Sequence, residues 1–334
     1  MRRLATLLAA VALAGCGHAP STDLHPSPPP VEFAPLQHPF RGQRLHLDRD
    51  SEASRWQAAN GAGWLDPITS TPQARWINGP ENVADIPRLA RDARRQRALL
   101  VLVAYYLPDR GCTGHRDGAP TPQAYLAWID QLVAALAGTR AAIIVEPDAI
   151  PADCFDAERA DLLRTAVARL VDAGQYVYLD AGHSAWRSTG ETAERLLASG
   201  VNRAEGFAVN VANRQPTQDA QRWGLELSDL VGGREFVIDT SRNGAGPPPD
   251  EPGRDDEWCN PARQGLGDRP TTSPDLPGVA ATLWVKRPGE SDGPCGGETT
   301  YEFAPRQARN LIVNAAPWVT QAERQSAIAT PFTP

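Results

Sequence analysis

The sequence predicts an α/β protein whose core is about seven parallel strands linked by helices, wound either as a barrel or as a doubly wound sheet. Two observations carry this. From residue 73 onward, short β-branched runs alternate with amphipathic helical stretches, the pattern of strand–helix–strand units. The 334 residues, 41% of them hydrophobic, can bury one large core, and barrels of this length form single domains. The strands fall at 73–78, 98–106, 141–146, 175–180, 205–211, 234–239 and 279–286. The helix between the second and third is the best marked. Thr121 caps it, Pro122 suits its first turn, Leu126, Ile129, Leu132, Val133 and Leu136 form one apolar stripe, and Gly138 ends it. Further helices fit 156–173, 190–199, 217–230 and 305–315, and there is no internal repeat.

Ahead of the domain, "MRRLATLLAAVALAGC" couples Arg2 and Arg3 to an apolar run of signal-peptide length, too short to cross a bilayer. Its end, Leu13-Ala14-Gly15-Cys16, resembles the lipobox of bacterial lipoproteins, which implies lipidation of Cys16 and anchoring to the outer membrane after export. The proline-rich stretch that follows reads as an extended tether. The expected division is signal peptide 1–15, tether 16–40 and folded domain 41–334.

A net charge of −7 and a pI near 5.4 leave no basic face for phosphate backbones, so nucleic acid is excluded as a partner. Export implies an oxidising compartment. With Cys16 set aside, Cys112, Cys154, Cys259 and Cys295 fit two disulfides in any of three pairings, and no Cys or His spacing argues for a metal. No cofactor is expected, and the domain reads as a monomer.

In barrels and doubly wound sheets alike, chemistry sits at the carboxyl ends of the strands. Those ends read "RGC", "EPDAI", "YLDAGHSAW", "NVANR", "IDTSRNG" and "WVKRPGESDGPC", which would crowd Asp148, Asp180, Asp239 and Asp292 on one face. Several acids with neither metal-ligand histidines nor a nucleophile elbow favour a carboxylic acid working with a carboxylate, as in glycoside hydrolysis. Tyr105, Trp64, Trp186 and Trp258 lie in or near the same loops, where flat rings can stack on sugars or simply fill core.

Taken in order, "WLDPITSTP", "YYLPDRGC", "IIVEPDAI", "YLDAGHSAW", "VNVANR", "DTSRNG", "EWCNP" and "WVKRPGESDG" resemble the motifs of glycoside hydrolase family 6, cellulases that cut β-1,4-glucan with inversion. The resemblance runs over roughly residues 55 to 317 and implies a distorted (β/α) barrel of about seven parallel strands in one catalytic domain. It implies Asp148 as general acid, Asp292 as the acid proposed as base, acting directly or through a chain of waters, Asp180 as an acid supporting the reacting sugar, and Tyr105 beneath the distorted ring. It further implies that Lys286, Glu290 and Asn210 bind substrate and that Trp64, Trp186 and Trp258 are sugar platforms. The implied disulfides are Cys112 with Cys154 and Cys259 with Cys295. Lys286 also stands out by composition, as the only lysine among 33 Lys and Arg residues.

One position departs from the resemblance. The family reads Arg-Asp-Cys where this chain has Arg110-Gly111-Cys112, and that aspartate helps to keep the general acid protonated. Its loss implies a lower pKa for Asp148, unless Asp109 or Asp117 takes over the role. Two functions follow: an inverting endo-β-1,4-glucanase anchored as a lipoprotein, or a glucan-binding lipoprotein whose hydrolysis is weakened at Gly111. The short segments after Asp292 and between Asp180 and Asn210 imply an open cleft that takes a chain in its middle.

Overall fold

Seven short strands form one all-parallel sheet in sequence order: β1 (Arg75–Ile77), β2 (Leu100–Ala104), β3 (Ala141–Val145), β4 (Tyr176–Asp180), β5 (Gly206–Val209), β6 (Glu235–Asp239) and β7 (Val279–Leu283). The computed structural model describes residues 31–112, 118–249, 258–299 and 301–330. Because every neighbour is the next strand in the chain, each crossover steps the same way and the sheet curls toward closure. Its two edges meet at the ends of β1 and β7. The Ala74 amide donates to Trp284 O at 2.9 Å, and Trp76 Nε1 donates to Val285 O at 2.7 Å. The sheet is therefore a distorted (β/α) barrel, as expected, rather than an open doubly wound sheet.

Period-two alternation sorts the strand residues into two cores. Val101, Val103, Ala142, Ile144, Tyr178, Ala208, Val237 and Ala281 face inward, where Phe40 joins them. Leu100, Leu102, Ile143, Val145, Val177, Leu179, Phe207 and Ile238 face outward and pack on the helices. Both faces of the sheet are buried, and the strands accordingly read as continuous apolar runs. A third cluster, with Trp64, Leu65, Ile68, Trp284, Leu311 and Ile312, fills the seam beside β7.

The helix at Pro122–Leu136 begins as expected, with Thr121 Oγ1 accepting the Ala124 amide at 3.1 Å. It buries Tyr125, Trp128, Ile129, Leu132 and Leu136, so its inner face is turned toward the aromatics and leaves Leu126 and Val133 only partly covered. The helices at Ala157–Asp172, Thr189–Ala198, Thr217–Leu230 and Pro305–Val313 match expectation within two residues. Those at Glu52–Asn60, Ile86–Gln96 and Gln321–Ala329 are additional.

The compact unit begins at Phe33. Residues 33–40, read as tether, pack on the domain instead: the Ala34 amide donates to Asn202 O, the Gln37 amide to Glu205, and Phe40 lies in the barrel interior. Two aromatic residues in that stretch outweigh its prolines. Cys16, the signal peptide and Asp117 lie outside the described residues.

Candidate active site

Every acid singled out at a strand end lies at the carboxyl edge of the barrel. After β3 the chain turns sharply, with Glu146 and Asp148 both in the left-handed region at φ 48° and 71°. Such angles are uncommon without glycine and persist only where neighbours enforce them. Glu146 is buried and accepts the Tyr106 and Leu107 amides at 3.0 Å, which seats the loop leaving β2. The Asp148 amide donates to Asp180 Oδ2 at 2.8 Å. The turn is thus stitched to the strands on both sides, and Asp148 is fixed between them.

Burial raises the Asp148 carboxyl from 3.8 to about 6, and the charge of Asp292 adds to the rise; Lys286, Arg242 and Arg110 oppose it. Asp180 is pushed well above its ordinary value by burial and by the charge of Asp148. Tyr105 sits at the start of the β2 loop. Its ring meets Trp76 edge-on at 5.2 Å between centroids and carries Arg110 at 4.2 Å on its face. Burial, then the charge of Asp148, keeps its phenol neutral.

Asp292 is treated in the opposite way. Arg242 Nη1 donates to both its oxygens at 2.7 and 2.8 Å, Arg214 Nη2 reaches Oδ2 at 3.2 Å, and Lys286 Nζ lies 3.4 Å from Oδ1. The Asn260 amide adds a hydrogen bond to Oδ2 at 3.1 Å. Against the burial that would raise it, the charges of Arg242, Lys286 and Arg214 hold this carboxyl well below the usual carboxylate range. One acid is thus protonated into the mildly acidic range while its neighbour is permanently ionised, the division of labour that acid-assisted hydrolysis requires.

Two disulfides clamp the rim. Cys112–Cys154 joins the loops after β2 and β3 (Cα separation 5.5 Å), and Cys259–Cys295 joins the loops on either side of β7 (6.0 Å). The implied pairing is the observed one.

A match to the model for glycosyl hydrolases family 6 spans residues 42–322. The chain belongs to glycosyl hydrolases family 6. It is 37% identical to endoglucanase A of Cellulomonas fimi over 284 residues, 80% of this chain and 61% of that protein, so it spans under two thirds of that relative's length. Endoglucanase A of Thermobispora bispora is 34% identical over 95% of this chain and 70% of its own length. Among solved structures, the endoglucanase Cel6 from Mycobacterium tuberculosis, in complex with methyl-cellobiosyl-4-deoxy-4-thio-β-D-cellobioside, superposes with a TM-score of 0.77 at 39% identity, covering 83% of this chain and 99% of that one.

Within this family 6 barrel the remaining expected residues fall into two groups. Trp186 and Trp258 are 42% and 60% exposed, with Trp186 set against the His183 ring, and both are free to take a sugar face. Trp64 is not. It is 3% exposed in the seam cluster, edge-on to Trp56, and serves as core. Asn210 is fully buried, and its amide is spent on the backbone of Gln215 and Asp239. Glu290 is paired with Arg287. Asp239 accepts the amides of Ala212, Ser241, Val285 and Lys286, which makes it the knot that ties three loops together. Asp109 faces Arg159, which donates to its carbonyl oxygen, and is not among the leading charges acting on Asp148.

Sequence reading missed Trp76, Arg214 and Arg242. Trp76 links Tyr105 to Lys286, whose Nζ lies 5.8 Å from its ring centroid. Both arginines stand inside quoted strand-end stretches, "NVANR" and "DTSRNG", but their common partner lies 78 and 50 residues away.

Proposed function

We propose that the protein is a cellulase, an inverting endo-β-1,4-glucanase in which Asp148 is the general acid. The observation that carries this is one rim that holds Asp148 against the carboxylate of Asp180, with no cation bonded to it among the described residues, and that surrounds Asp292 with Arg242, Arg214 and Lys286. Asp148 protonates the leaving glycosidic oxygen. Asp292, too weakly basic to hold a proton itself, orients the attacking water, whose proton leaves through neighbouring waters. Asp180 holds the Asp148 backbone, and the neutral Tyr105 lies beneath the reacting ring. Trp186 and Trp258 are the sugar platforms, and Lys286, beside Asp292, and Glu290, paired with Arg287, bind substrate. Relatives named endoglucanases and a solved relative holding a thio-linked cello-oligosaccharide support β-1,4-glucan as the substrate. A pure glucan binder would have no use for the opposed carboxyls. We further propose that the enzyme acts as a monomer, exported and anchored by lipid at Cys16.

Reducing-sugar release from carboxymethylcellulose and from mixed-linkage glucan tests the reading. Asp148→Asn should lower turnover by about 10²- to 10⁴-fold, the usual contribution of a general acid. Release at the wild-type rate would reject Asp148 as the acid.

A further inference from the structure

Arg214, in the loop after β5, is 2% exposed and reaches three acceptors that belong to separate segments of the rim. Nη1 donates to the Trp258 carbonyl oxygen at 2.9 Å, and Nη2 donates to Gln264 Oε1 at 3.1 Å and to Asp292 Oδ2 at 3.2 Å. Asp292 does not need it for charge, since Arg242 already bonds both carboxylate oxygens and Lys286 stands beside them. The site bears a cost to keep it: burial and the like charge of Arg242 lower the Arg214 guanidinium to about 9. What Arg214 adds is its bonds to Gln264, which is also held by its own bond to Gln307 at 2.7 Å, and to the carbonyl of Trp258. The residues after Trp258 are secured separately, Cys259 by its disulfide and Asn260 by reciprocal bonds with Asp292. The carbonyl of Trp258 itself rests on Arg214.

We propose that Arg214 is a positioning residue that fixes the Trp258 sugar platform relative to Asp292, so that a glucan chain stacked on Trp258 is held in register with the bond to be cut. The inference rests on the role given to Trp258 under the proposed function. A planar fork with two diverging amino groups can grip a carbonyl and a carboxylate together; a single ammonium cannot keep both in that geometry.

The test is a set of KM and kcat measurements on soluble cello-oligosaccharides for the wild type, R214M, R214K, W258A and R214M/W258A, each checked for folding by circular dichroism. R214M should raise KM about tenfold, the scale of one lost charge-assisted hydrogen bond. The rise should vanish in the W258A background, since no platform is left to misplace. R214K should show the same background-dependent rise, and it carries the comparison if R214M does not fold. A wild-type KM in folded R214M and R214K, or an equal rise with and without Trp258, would overturn the proposal while leaving the platform intact. An unchanged KM in W258A alone would bring down the platform reading and the proposal together.

Discussion

Replacing Glu146 with glutamine should flatten the dependence of stability on pH between about 4.5 and 7. Glu146 sits two residues before Asp148, and burial raises its carboxyl from 4.5 to about 7 against the hydrogen bonds from the Tyr106 and Leu107 amides. The unfolded chain releases this proton near 4.5, whereas the folded protein keeps it to about 7. Across that window the unfolded state binds fewer protons, so stability falls as pH rises; nothing is lost below the window and the loss is complete above it. At 1.36 kcal/mol per unit the total is on the order of 3 kcal/mol, roughly 5 °C in Tm for a domain of this size. Asp148, Asp180 and Asp239 are raised by burial as well and act with the same sign, but they remain in the variant and cancel from the comparison. Asp292 acts in the opposite sense: its folded carboxyl lies below the ordinary 3.8, so its contribution is present above that pH and is lost only in stronger acid. Glutamine leaves one of the two amides facing an Nε2 donor, at a constant cost of about 1–3 kcal/mol. The variant's level therefore drops at every pH while its slope flattens. Thermal unfolding from pH 4.5 to 8, followed by circular dichroism, reads both. Parallel Tm curves for the wild type and Glu146→Gln would refute the reasoning and mean that Glu146 is ionised throughout.

Cys16→Ser should move the protein from the membrane to the soluble fraction on fractionation, because the lipid group at Cys16 is the expected anchor; unchanged association would reject the lipoprotein reading. Replacing Cys112 and Cys154 together with serine should cost about 4 kcal/mol in denaturant unfolding, from the loop entropy of a 42-residue closure; a loss under 1 kcal/mol would mean that the loops hold without the bridge. Gly111→Asp adds a negative charge beside Arg110, whose own charge lowers the Asp148 carboxyl. The basic limb of the pH–activity profile should then move to higher pH, and an unmoved limb in a folded variant would show that the loop at residue 111 does not govern this proton.

The strands were legible because both faces of the barrel are apolar: runs such as "ALLVLVA" and "AAIIVE" allow few other readings. Ile86–Gln96 was overlooked although its signal is present: Ile86, Leu89, Ala90 and Ala93 fall at helical spacing on one face with charged residues opposite, and Pro87 suits the first turn. Asp148, Asp180 and Asp292 could be found because strand ends are read directly from sequence. What surrounds them could not. The arginines on Asp292 arrive from two other loops, and the difference between Trp64 as core and Trp258 as an exposed ring depends on which side of the seam each lies, which no local pattern encodes. Residues 33–40 were misjudged for a similar reason: composition describes the segment, while Phe40 finds its pocket in the barrel.

The most direct test of the site is the anomeric form of the first product. With Asp148 delivering the proton from one side and a water beside Asp292 attacking from the other, hydrolysis of a soluble β-1,4-glucan should invert the reacting carbon. Proton NMR recorded within the first turnovers, before mutarotation, should show the α-anomer rising ahead of the β-anomer, and Asp148→Asn should abolish that early signal. A β-anomer appearing first would contradict the assignment and require a carboxylate to attack the sugar directly.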